Sequence, residues 1–288
     1  MHKTGYEKLE GAVATSLIRQ LRCISDLTVS LDLGMRKIGL GNRSLRNSTV
    51  FTGNLILKHP LFAELLECIT PIARKEIGDN CVVSEFKLVS SMQSKNFDMW
   101  WHRDFPFSQN LDTRFNSKIS VGCIVPLCDF SPVNGSTFVL PGSHKTLKFP
   151  TSYQNKDFVG EGIQLVSKQG DIWLYDPRLI HSGAQNPSRE MRHIVLLQFV
   201  VPPINVRENF KYQVERLPYT SKFLQQEKAL CNTHVPDINK FGANRGWEHT
   251  SYGFIFSAFK RCNITTDRLV RKLKLFIFNL MLKLRGDL

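Results

Sequence analysis

Residues 171–201 read DIWLYDPRLIHSGAQNPSREMRHIVLLQFVV. Two runs within it, DIWLY and HIVLLQFVV, are short and rich in β-branched, aliphatic and aromatic residues, the composition of strands. Between them Asn186-Pro187 marks a turn. The same character recurs upstream in VVSEFKLVSSM from residue 82, KISVGCIVPL from 118 and STFVL from 136. Asn134-Gly135, Pro141-Gly142-Ser143 and Gly170-Asp171 punctuate these runs. Several short strands joined by long irregular connections predict a jelly-roll sandwich or barrel, mainly β with flanking helices. No G-x-G-x-x-G, P-loop or internal repeat is present, which excludes the common nucleotide-binding and solenoid classes.

Outward from this β core, placed at about 82–203, the first 80 residues read mainly as helical. Residues 61–77 space Leu61, Leu65, Cys68 or Ile69, Ile72 and Ile77 at roughly the helical period, with Pro71 expected to kink or interrupt the run. Residues 204–259 are mixed and form an expected cap, so 1–259 reads as one domain. Residues 260–288 carry eight Lys or Arg against two Asp, and apolar residues recur there at helical spacing, predicting a basic amphipathic helix.

The chain has 288 residues and a formal charge of +13, from 38 Lys and Arg against 25 Asp and Glu. A hydrophobic fraction of 42% with 20 Phe excludes a disordered or low-complexity protein. The seven cysteines include no C-x-x-C pair and read as reduced, mostly core thiols. No signal-like or membrane-spanning apolar run is found, so a cytoplasmic location is expected. The basic tail favours first a helix packed on its own domain, then a peripheral membrane contact, and last nucleic acid, for which no recognition module is present.

Around residue 100 the sequence MWWHRDFPF carries His102 and Asp104 as an H-x-D pair. In extended chain, residues i and i+2 point to one side, so an imidazole and a carboxylate can converge on one ion. His181 ends the strand-like segment 77 residues after Asp104, and Arg192 follows it by eleven. If the flanking strands pair as a hairpin, Arg192 faces the His181 site. Two histidines and one carboxylate bind one face of a metal and leave the rest open, which suits a non-haem Fe(II) oxygenase. H-E-x-x-H is absent, arguing against a zinc hydrolase. An arginine fork beside such a site suits a carboxylate-bearing co-substrate.

Taken together, His102-x-Asp104, NGSTFVLPGSHK at 134–145, Gly170-Asp171, His181 and Arg192 resemble the phytanoyl-CoA dioxygenase family of Fe(II)/2-oxoglutarate-dependent oxygenases. The resemblance covers roughly residues 50–203. It implies a double-stranded β-helix (cupin-like) fold, iron ligated by His102, Asp104 and His181, and Arg192 on the distal carboxylate of 2-oxoglutarate. It also implies O2 as co-substrate, release of succinate and CO2, and hydroxylation of a small organic or lipid-like substrate. Lys87 is a candidate second anion contact, with a solvated strand residue as its plain alternative. Ser182 is a candidate co-substrate contact, although many members place that hydroxyl one residue later. Arg103 stands where many members carry Gln and adds a cation beside the site. The presence of Asp104 disfavours halogenation, since halogenating relatives lack this carboxylate.

Other residues nearby read as structural: His144 as a turn residue, His193 as facing opposite to Arg192, and Trp100, Trp101 and Trp173 as aromatic filling of the core, with the lining of a substrate pocket as their alternative. The rival readings are a non-catalytic jelly-roll that binds an anionic membrane or partner through its tail, and a same-fold iron enzyme performing epimerisation or desaturation.

Overall fold

The computed structural model describes residues 3–37, 45–46, 49–94, 101–104, 119–146, 162–202 and, apart from 205, 209 and 216, 204–226. Its elements are β1 (Tyr6–Leu9), α1 (Thr15–Lys37), β2 (Leu45–Arg46), β3 (Thr49–Thr52), α2 (Leu55–Lys58), α3 (Pro60–Ile77), β4 (Val82–Ser91), β5 (Ser120–Pro126), β6 (Phe138–Val139), β7 (Ile163–Gln164), β8 (Ile172–Tyr175), β9 (His181–Ser182), β10 (Arg192–Val200), α4 (Phe210–Glu215) and α5 (Lys222–Gln226). A seven-stranded sheet runs β1-β8-β5-β10-β4-β3-β2, and a three-stranded sheet runs β7-β6-β9. Every strand pair is antiparallel, as a jelly-roll requires.

Why the large sheet is stable is visible in its alternation. Val121, Cys123 and Val125 on β5, with Val195, Leu197 and Phe199 on β10, point to one side and are buried. Helices α1 and α3 cover that side with Leu17, Ile18, Leu21, Ile24 and Phe62, Leu65, Leu66, Ile69, all in one apolar cluster. Each such side chain contributes roughly 1.5–3 kcal/mol when withdrawn from water. The opposite side of the same strands carries Gly122, Ile124, Arg192, Ile194, Leu196 and Gln198, and this is the side on which the functional cluster forms.

Three sequence expectations change here. The first 80 residues are not purely helical, because β1, β2 and β3 supply three strands to the large sheet. Such short strands carry too little periodicity to be read locally; their partners, β8 and β4, decide them. Pro71 does not interrupt α3, which runs unbroken through it. Pro71 and Glu67 both lie on the exposed side, where the carbonyl deprived of its N–H partner meets water. Finally, β9 and β10 form no hairpin: β9 pairs with β6 in the small sheet and β10 with β4 and β5 in the large one. Arg192 therefore reaches the interior through strand alternation, not through direct pairing with the His181 strand.

The Asn134-Gly135 turn lies against the 182–190 loop. Gly135 has a φ of 71°, and a Cβ there would stand 1.8 Å from the Gln185 carbonyl oxygen, so glycine is required on both counts. Among the described residues no helix is long and apolar enough to cross a membrane. The expected cap beyond residue 226 and the basic helix at 260–288 lie outside the described residues.

Candidate metal centre

His102 and His181 lie opposite one another in an isolated antiparallel bridge. The N–H of His102 donates to the His181 carbonyl at 2.9 Å, and that of His181 to the His102 carbonyl at 3.0 Å. This pairing brings the imidazoles together, with ring centroids 4.3 Å apart. Two residues on, the Asp104 N–H donates to the Pro177 carbonyl at 2.9 Å, which keeps the segment extended and returns the carboxylate to the imidazole side. Asp104 Oδ1 is 3.7 Å from His102 Nε2, and Oδ2 is 3.6 Å from His181 Nε2. One donor atom from each residue falls within 4.8 Å of the other two. That set of two nitrogens and one oxygen fits one divalent ion.

The protonation pattern suits the same role. His181 Nδ1 lies 3.0 Å from the Leu179 carbonyl, a contact that orients the ring with Nε2 toward Asp104. Burial alone would raise the Asp104 pKa. The positive field of His181, His102 and Lys87 and a hydrogen bond from Tyr175 outweigh it and hold the carboxyl well below the usual range. A carboxylate that stays ionised while half-buried is what a metal ligand must be.

The strand register places Arg192 on this same side. Tyr175, which donates a hydrogen bond to Asp104 Oδ2, sits opposite Gly122, and Gly122 sits opposite Gln198. Arg192 precedes Gln198 by six residues on β10, an even number, so the two share a face. The guanidinium is buried. It donates to Ser91 Oγ at 2.9 Å and to the Asn134 carbonyl at 3.4 Å, while the Phe130 ring centroid lies 5.8 Å away. Its Nε has no partner, and among the described residues no carboxylate pairs with it. Burial lowers its pKa to about 10, so it remains charged at neutral pH. An uncompensated buried cation is costly, and a ligand carboxylate would relieve it.

The family model described as phytanoyl-CoA dioxygenase matches residues 39–194, more than half of the chain. The chain belongs to the phytanoyl-CoA dioxygenase family. The "Iron/alpha-ketoglutarate-dependent dioxygenase ausO" of Aspergillus calidoustus is 30% identical over 161 residues, which cover 54% of this chain and 51% of that protein. The "Dioxygenase aneA" of Aspergillus aculeatus is 25% identical over 188 residues, covering 61% and 59% respectively. The chain thus spans little more than half the length of these curated relatives. Among solved structures, HygX from Streptomyces hygroscopicus with nickel and 2-oxoglutarate bound aligns at a TM-score of 0.55 and 14% identity, over 70% of this chain and 85% of that one. The likeness establishes a shared fold.

In this family member the remaining sequence candidates go separate ways. Lys87 faces the same side of the sheet as the His-Asp-His group, opposite Leu196, and is half-buried rather than solvated. Its ammonium lies 2.6 Å from Glu85 Oε1, so its charge is balanced within the wall. Ser182 adjoins His181 on β9, so alternation turns it to the opposite face, and its hydroxyl donates to the Gly183 carbonyl at 2.9 Å. Arg103 is buried and turned from the His-Asp-His group. Its guanidinium donates to the carbonyls of Ser143 at 3.0 Å and Thr146 at 2.7 Å, clamping the turn that contains His144. Trp101 packs against Phe138 and Trp173 against Tyr6, both as core filling. Trp100 lies outside the described residues.

Sequence reasoning missed Tyr175, Ser91 and the Asn134 carbonyl. Tyr175 and Ser91 end their strands on the interior side, a signal that requires the sheet register, and the third is a backbone atom with no residue-type signature.

Proposed function

We propose that this protein is a non-haem Fe(II)/2-oxoglutarate-dependent dioxygenase that hydroxylates a small organic or lipid-like molecule. In this reading His102, Asp104 and His181 hold the iron, and Arg192 binds the distal carboxylate of 2-oxoglutarate. The observation that carries it is the joint placement, on one side of the large sheet, of a His-Asp-His donor set and a buried arginine that has no carboxylate partner among the described residues. The curated relative named as iron- and alpha-ketoglutarate-dependent supports the same chemistry.

When bound, iron with 2-oxoglutarate and O2 supplies oxidative decarboxylation to succinate and CO2, coupled to hydroxylation of substrate. The protein's residues supply orientation and charge. The carbonyl of Leu179 orients the His181 ring with Nε2 toward Asp104. Ser91 and the Asn134 carbonyl hold the Arg192 fork in place before any ligand arrives. Because Lys87 is paired with Glu85, recognition of the distal carboxylate falls to Arg192, and Lys87 contributes positive field at Asp104. Ser182 has no part in the site in this reading.

The test is an anaerobic titration of Fe(II)-loaded protein with 2-oxoglutarate, followed by admission of O2. Wild type is expected to develop a visible charge-transfer band and then release succinate, while His102→Ala shows neither. Absence of both from wild type would overturn the proposal.

A further inference from the structure

Tyr175 ends β8 between Tyr6 of β1 and Gly122 of β5, and it is buried. Its ring lies directly over Gly122. A Cβ at 122 would stand 2.2–2.7 Å from the ring carbons, so only glycine leaves the phenol room. The ring edge meets His181, with centroids 5.3 Å apart. From this seat the phenol O–H donates to Asp104 Oδ2, and among the described residues Tyr175 supplies this carboxylate's one side-chain hydrogen bond.

We infer that Tyr175 is a positioning residue that restricts Asp104 to a single donor oxygen and so preserves an open coordination position for O2. The inference rests on the iron-site reading above. A carboxylate can bind one ion through one oxygen or two. On an ion with six donor positions, two histidines and a one-oxygen aspartate would fill three and leave three for co-substrate and O2. A two-oxygen aspartate would remove one of those three. The Tyr175 hydrogen bond engages Oδ2 and leaves Oδ1, 3.7 Å from His102 Nε2, as the available donor. Gly122 acts through Tyr175, since its missing side chain is what lets the ring reach this place.

The experiment uses nitric oxide as a probe of the open position, with the full-length protein loaded with Fe(II) and 2-oxoglutarate under anaerobic conditions. Tyr175→Phe keeps the ring and removes the hydroxyl. It is expected to retain the 2-oxoglutarate charge-transfer band and to bind nitric oxide about tenfold more weakly, read from the electron paramagnetic resonance signal of the adduct. Gly122→Ala, which displaces the ring, is expected to weaken the adduct in the same direction. A Tyr175→Phe adduct formed at wild-type nitric oxide concentrations overturns the inference, whatever the variant's thermal stability. Loss of the charge-transfer band from wild type itself would instead overturn the iron-site reading, so the two failures are distinguishable.

Discussion

Arg192 and His193 are consecutive on β10 and face opposite ways, each with a hydroxyl partner from β4. His193 points to the helix side. Its Nδ1 lies 2.7 Å from Ser90 Oγ and its Nε2 3.0 Å from Asp26 Oδ1 on α1. The serine–histidine–aspartate order resembles that of a hydrolase triad, but Ser90 is 0% exposed beneath the helices, where no substrate carbonyl can reach it. Arg192 is also buried, yet among the described residues it has no carboxylate partner. Satisfied polar groups on one face hold a helix to a sheet; on the other face the cation has hydrogen-bond partners but, among the described residues, no carboxylate. Identity of side chain does not separate the two clusters. Completeness of partners does.

The contrast predicts graded effects, beginning with the interior face. Replacing His102, Asp104 or His181 by Ala is expected to lower succinate formation by more than about a hundredfold with little change in the melting temperature of the metal-free protein. A comparable loss of stability instead would place the cluster with His193 as a structural device.

Next comes Arg192→Gln. Charge-assisted hydrogen bonds contribute about 1.5–3 kcal/mol, so the KM for 2-oxoglutarate should rise roughly ten- to hundredfold. Removing a buried cation without an anionic partner should leave thermal stability unchanged or raise it. An unchanged KM would dissolve the distinction between the two faces.

His193→Ala should do the reverse. It leaves Ser90 without its partner and opens a void under α1, costing roughly 1–3 kcal/mol in denaturant unfolding, while the KM for 2-oxoglutarate stays at the wild-type value.

A smaller effect concerns Glu208, which lies at the far end of β4 from Ser91. Its Oε1 accepts the Phe86 N–H at 3.0 Å, and burial pushes its pKa up to about 7 from an ordinary 4.5. The folded state therefore keeps this proton longer than the unfolded chain. The stabilisation is fully present below about pH 4.5, declines as pH rises through about 7, and then levels off. Glu208→Gln should flatten the melting temperature between pH 5 and 7.5 relative to wild type, and a parallel pair of curves would refute this origin.

Much of this was legible in the linear chain. Strong, short strands such as those beginning at Val82, Ser120, Ile172 and Arg192 announce themselves by composition, because each is buried on both faces or nearly so. The H-x-D pair works because extended backbone puts alternate residues on one side whatever surrounds it. What the chain concealed depends on partners distant in sequence. β1 is a strand because β8 supplies its hydrogen bonds some 165 residues away, and Pro71 is tolerated because that side of α3 meets water. The direction of Ser182 has a local reason: it is adjacent to His181, and adjacency in a strand means opposite faces.

Residue types and their spacing alone determined the β-rich class and singled out the candidate donor set His102, Asp104 and His181 and the candidate arginine Arg192, since these follow from short-range geometry and the chemistry of single side chains. Only the tertiary structure decided which hydroxyl steadies which group. Strand order and register bring Tyr175 to Asp104, Ser91 to Arg192 and Ser90 to His193, and those pairings arise from contacts between segments that the chain's local pattern cannot order.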